Sequence, residues 1–184
     1  MDTDWQPEVG SSIYYSIRFA PQQFRKSLHL VFAWQQLLRD TLAQATDPGV
    51  SRLKLDWWQQ ELAQAEQGEP RHPLAIELQP LLTQPVINNL FRSMLHAADR
   101  DLQLQSIPAT SDWHAHCDQW GESLVELLVL ASNGNSSDYR EISGLGRYIE
   151  VIHRISSLPK TKAEFHHPLP RTEQLQDLVA PTRD

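Results

Sequence analysis

The stretch from Arg25 to Asp40, RKSLHLVFAWQQLLRD, places Leu28, Val31 and Leu38 on one side of a helix, and Phe24 and Leu42 extend that stripe over residues 22 to 45. Apolar residues recurring at three and four positions share one face of an α-helix, so a long helix packed on one side is predicted here. Pro21 suits its first turn, because the ring holds φ near the helical value. Asp47, Pro48 and Gly49 are predicted to break it. The same spacing recurs outward along the chain. Residues 50 to 67 carry Leu53, Trp57, Trp58 and Leu62 and stop at Gly68 and Pro70, with a loop expected after them. Ile87, Leu90, Met94, Ala98 and Leu102 mark a third helix from about Pro85 to Gln105. A fourth begins at Ser111 or Asp112, whose short side chains can cap it, and runs to near Asn133. It is apolar on nearly every side between Leu124 and Ala131, which predicts a central place in the core. A fifth, from 138 to 158, carries Ile142, Leu145, Ile149, Ile152 and Ile155 and ends before Pro159. There is no internal repeat and no strand alternation. The predicted fold is all-α, with a flexible N-terminus over 1–10, one helical domain over 11–158, and an extended tail over 159–184 holding a short helix near Glu173 to Val179.

Composition narrows the partners. The 184 residues are 40% hydrophobic and 21% charged, the balance of one ordinary globular domain. With 16 Lys+Arg against 23 Asp+Glu, the chain lacks the clustered basic charge that neutralises phosphates, so no nucleic-acid partner is expected. Cys117 is the only cysteine, which excludes an internal disulfide and a cysteine-built zinc cage. The most apolar run, Leu124 to Ala131, is short and contains Glu126, whereas a membrane span needs ~20 apolar residues. No transmembrane segment is expected. Asp2, Asp4 and Glu8 precede any apolar stretch, unlike a secretory signal, so the expected location is cytoplasmic or peripheral to a membrane.

Four stretches carry a family pattern: SIYYSIRFAP (Ser12 to Pro21), RKSLHLVFAWQQLLRD (Arg25 to Asp40), LKLDWWQQELAQAEQGEPRHPLA (Leu53 to Ala75) and HCDQWGESLVELLVL (His116 to Leu130). The third is the most specific, with paired tryptophans followed by Gly-Glu-Pro-Arg-His-Pro. From Ser12 to Leu178 the chain resembles the squalene/phytoene synthase family, all-helical enzymes that join two prenyl diphosphates head to head. The resemblance implies a bundle of the isoprenoid-synthase type. Family enzymes continue past the position matching Leu178 with further helices, so part of an apolar cavity wall is expected to be open or covered by another molecule.

The family's chemistry uses Mg²⁺, because a departing diphosphate develops charge that must be neutralised in an apolar cavity. Two helices each present aspartates four residues apart, one face of carboxylate oxygen for a hard cation. An ungapped match puts the first pair at Arg39 and Ala43. Counting back from Pro170 puts the second at Ser157 and Thr161. None of the four is a carboxylate. Arg39 reverses the sign: a +1 charge about 4 Å from a divalent ion is repelled by roughly 2 to 8 kcal/mol. The resemblance also places Phe32 and Gln36 where the family carries a tyrosine and an arginine for the diphosphate, so charge and fork are absent there. Residues it implies at the cavity are Ser12, Tyr14, Arg18, Phe32, Gln36, Asp40, Asp101 and Glu122. The surviving pattern residues Tyr14, Tyr15, Leu28, Trp57, Trp58, Leu62 and Leu124 are ones a helical core also requires.

The expectation is therefore a non-catalytic relative without a cofactor, acting as a protein-binding or assembly factor through an exposed apolar wall, by self-association, or by holding a prenyl or other lipid chain. Relatives lacking the aspartates serve respiratory complex I assembly, which the resemblance offers by analogy. The alternative is a Mg²⁺-dependent head-to-head prenyltransferase whose metal sits on substitutes such as Asp40, Asp99, Asp101 or Glu122. Other clusters have plainer readings. His114 and His116 are two apart and point to opposite sides of a helix, so they and Cys117 and Asp118 read as structural. His96 and Asp99 read as a solvated face, Glu122 and Glu126 as a polar stripe facing solvent or a partner, and His166 and His167 as surface loop residues. Trp5 reads as an interface anchor.

Overall fold

The computed structural model describes residues 5–43, 47–103, 110–142 and 144–157. Eight helices occupy them: α1 (Ser12–Phe19), α2 (Gln22–Ala43), α3 (Pro48–Glu66), α4 (Pro73–Leu82), α5 (Pro85–Gln103), α6 (Thr110–Ala131), α7 (Ser136–Glu141) and α8 (Leu145–Ser157). Among the described residues there is no strand, so the all-α expectation holds. The expected tail helix near Glu173 to Val179 lies outside them, as do His166 and His167.

Three helix boundaries differ from the periodicity reading, each for a local reason. Asp47-Pro48-Gly49 opens α3 rather than merely breaking the chain: the Asp47 carboxylate accepts from Gly49 N at 2.8 Å, and Pro48 sits in the first turn. The loop expected after Gly68 closes quickly into α4, whose first turn is capped by His72, with Nδ1 accepting from Leu74 N at 3.1 Å. A histidine cap is an uncommon signal, and it hid this helix. The single helix expected over 138 to 158 is two, α7 and α8, parted at Gly144, whose φ of +90° favours a residue without Cβ. Asn135 and Asp138 form a reciprocal capping box at the start of α7. The short α1, with no buried residue, offered too little periodicity to predict.

α6 is the hub, packed against α8, α5, α2 and α7, as its apolar run required. The core behind it joins Trp34, Leu38, Trp58, Leu62, Leu78, Ile87, Phe91, Met94 and Leu127. Trp34 meets Trp58 and Phe91 edge to face at ring separations of 5.2 and 5.8 Å. α8 comes close to α6 because two glycines meet at the crossing. A Cβ at Gly121 would stand 1.9 Å from Gly146 O. A Cβ at Gly146 would stand 2.2 Å from Gly121 C.

Two apolar faces point outward, against expectation. On α3, Leu53 and Trp57 are exposed, while Trp58 and Leu62 are buried, so the stripe is narrower than the spacing suggested. On α8 the polarity is inverted: Gly146, Glu150 and Arg154 face inward, and Leu145, Tyr148, Ile149 and Ile152 face outward. Tyr15, expected in the core, is exposed as well.

Candidate functional site

The inward face of α8 ends in a network of charge. Glu150 and Arg154 are four apart, so helical periodicity stacks them on one side. Arg154 donates from Nε to Glu150 Oε1 at 2.6 Å and turns its fork onto Asp101 of α5, with Nη1 to Oδ1 at 3.1 Å and Nη2 to Oδ2 at 2.9 Å. His116 and Trp120, also four apart on α6, approach the same carboxylate: His116 Nε2 lies 2.5 Å from Oδ1, and Trp120 Nε1 donates to Oδ2 at 3.0 Å. From α2, Arg39 Nη2 donates to Glu150 Oε2 at 2.6 Å while its guanidinium lies 5.0 Å from the Trp120 ring centroid. Asp101, His116, Glu150 and Arg154 are all buried.

Two guanidinium cations thus face two carboxylates in a closed interior, and α2, α5 and α8 supply them. Burial alone works against ionisation of Glu150, but Arg39 and Arg154 outweigh it and hold its carboxyl at about 2. For Arg154, burial favours loss of the proton, and Asp101 and Glu150 more than compensate, raising its pKa. Cys117, on the same stretch of α6, shows the opposite balance. Burial pushes its thiol up to about 12, so it is an inert core residue rather than a nucleophile.

The model of the squalene/phytoene synthase family matches residues 6–181. The chain belongs to this family. No curated protein and no solved structure matches it.

The resemblance put the first metal-binding pair of this squalene/phytoene synthase-family chain at Arg39 and Ala43. Arg39 is spent on Glu150, and Ala43 is exposed and carries no donor oxygen. The carboxylates that do lie near, Asp101 and Glu150, are already neutralised by guanidinium. Among the described residues no three His, Cys, Asp or Glu side chains gather at metal spacing. Thr161 lies outside the described residues, and Ser157 closes α8.

The remaining cavity candidates are scattered. Ser12 and Arg18 are exposed on α1, and Arg18 reaches back to the Tyr14 hydroxyl at 3.3 Å. Phe32 is buried, and Gln36 donates to Asp40 at 2.8 Å. Glu122 accepts from Gly144 N at 2.8 Å and from the Tyr139 hydroxyl, fixing the turn between α7 and α8. Only Asp101 joins Arg39 in the network. Spacing missed Glu150 and Arg154, and it read His116 as structural without its partner Asp101. The signal that could have found Glu150 and Arg154 was the i,i+4 Glu-Arg pair inside an apolar stripe.

Other readings settle simply. His96 is exposed, and Asp99 instead accepts from Gln103 at 2.6 Å and lies 3.6 Å from Arg52. Asp118 holds Arg147 of α8 through two bonds of 2.5 and 2.7 Å. Trp5 is half-buried, its carbonyl 2.8 Å from His29 Nε2 and its ring 5.5 Å from that imidazole. Within the most specific family stretch, Glu61 and His72 pack the loop against Trp58. Glu61 Oε1 accepts from Arg71 N and His72 N at 2.6 Å each, drawing the loop back so that the His72 ring lies 4.7 Å from Trp58.

Proposed function

We propose that the chain is a non-catalytic member of the squalene/phytoene synthase family that works by binding a protein partner, as an assembly factor does. The observation that carries this reading is the Arg39 to Glu150 ion pair, which puts a cation and its counter-charge where the family's chemistry calls for metal-binding carboxylate. Electrostatic neutralisation of a leaving diphosphate cannot be supplied by a guanidinium already engaged by a buried acid. The outward apolar face of α8 supports the binding half of the reading. Exposed apolar patches on folded proteins mark interaction sites, and here Leu145, Tyr148, Ile149 and Ile152 lie in one stripe. Respiratory complex assembly is the role by analogy with relatives that lack the aspartates. Among the described residues no helix is long and apolar enough to cross a membrane.

The test of the first half is incubation with geranylgeranyl diphosphate and Mg²⁺, following released diphosphate and condensed product. No turnover above the protein-free rate is expected, and turnover abolished by a chelator overturns the reading in favour of a prenyltransferase. For the second half, the protein purified from its own cells should carry a partner at fixed stoichiometry that Ile152→Glu releases. Extractable lipid in place of protein would instead support a lipid carrier.

A further inference from the structure

An open groove lies away from the charge network, on the outer side of α3. It has a volume of about 440 Å³ and is lined by Val50, Leu53, Lys54, Trp57, Trp58 and His72. That volume is in the range of small-ligand pockets, roughly 300 to 1,000 Å³. Val50, Leu53 and Trp57 are each exposed, so this apolar wall lacks a covering element among the described residues.

Two polar groups break the apolar lining. Lys54 is half-buried and forms no ion pair among the described residues. His72 uses Nδ1 to accept from Leu74 N, which places its ring proton on Nε2 as a donor. Its ring lies edge-on to Trp57 and Trp58 at 5.8 and 4.7 Å. Burial lowers the His72 pKa against the opposing pull of Glu61, leaving the ring neutral. The groove is thus almost wholly apolar, with Lys54 and His72 the two polar residues that line it.

We propose that this groove binds a medium-chain fatty carboxylate, the alkyl chain lying on Val50, Leu53 and Trp57 and the carboxylate meeting Lys54 and His72 Nε2. One full positive charge matches a monoanionic head, whereas a diphosphate would bring several negative charges to a single ammonium. The site is independent of the central network and of whether that network supports catalysis.

The experiment is titration of the full chain with dodecanoate below its micellar concentration, read by tryptophan emission and calorimetry. Dodecyl maltoside serves as the neutral probe of equal chain length, and inorganic pyrophosphate as the polyanion without a chain. Saturable binding of dodecanoate is expected, about tenfold tighter than of the maltoside, with none of pyrophosphate. Leu53→Asp places a carboxylate on an exposed position of the trough and should weaken dodecanoate by about tenfold or more, with unchanged far-ultraviolet dichroism. Lys54→Met keeps the aliphatic stem and should bring dodecanoate close to the maltoside, about a fivefold to tenfold loss. Absence of saturation overturns the proposal, as does equal binding of both amphiphiles. Affinity that both variants leave intact but Arg39→Met removes would place the ligand in the central network and overturn it too. So would a peptide with an apolar C-terminal residue binding far more tightly than dodecanoate.

Discussion

Arg39 Nη2 stands 2.6 Å from Glu150 Oε2, a contact between residues 111 apart in sequence that ties α2 to α8. Both side chains are nearly closed to water, at 11% and 2% exposure, so the pair is not screened as a surface bridge would be. Removing one member of such a pair leaves a buried charge half-matched, which is costlier than removing both.

Arg39→Met should therefore lower stability by about 3 kcal/mol, while Arg39→Met with Glu150→Met should recover part of that loss. Thermal melts check this, with a fall of roughly 6 to 12 °C expected for the single variant in a chain of this size. Additive losses in the double variant would show that the pair is not coupled.

The pH dependence follows from Glu150. Its folded pKa is depressed from 4.5 to about 2, so its contribution is fully present above the unfolded value and is lost as pH falls through the folded one. About 3 kcal/mol of stability should disappear between roughly pH 5 and pH 2. Denaturant unfolding across that window measures it, and Glu150→Gln should flatten the slope.

At the crossing of α6 and α8, Gly121→Ala sets two effects against each other. Helix propensity favours alanine by about 1 kcal/mol, but the new methyl would stand 1.9 Å from Gly146 O, closer than any relaxed contact. The clash should win, with a net loss of about 2 kcal/mol or more seen in urea midpoints. A stabilised variant would mean that the helices can part freely.

Cys117 should resist alkylation in the folded state, because burial holds its thiol at about 12 and fully encloses it. Iodoacetamide at neutral pH should label it only after denaturant is added. Mass spectrometry of native and unfolded samples gives the ratio.

The all-α class and the course of α2, α5 and α6 were legible in the sequence because apolar periodicity reports the buried side of long helices. It failed on α8, where Leu145, Ile149 and Ile152 repeat at helical spacing yet face outward and Glu150 and Arg154 face inward. Hydropathy has no means of telling a paired buried ion from a solvated one. α4 was missed because its cap is His72, and α1 because eight residues carry little pattern. For the site, the family resemblance, not periodicity, put the expected metal carboxylates at Arg39 and Ala43, where the sequence has none. The partner of Arg39 could not be read at all, since the acid that answers it comes from a different helix.

Asp101 accepts from both Arg154 terminal nitrogens and from Trp120, and lies against His116. With its oxygens so fully occupied, that carboxylate would not be freed for a cation by writing Asp at positions 39 and 43. The new acids would confront Glu150 with one of its two counter-ions gone and only Arg154 left to answer it. A metal site there would need a concerted exchange on α2, α5 and α8, because each single step leaves a buried charge less well matched.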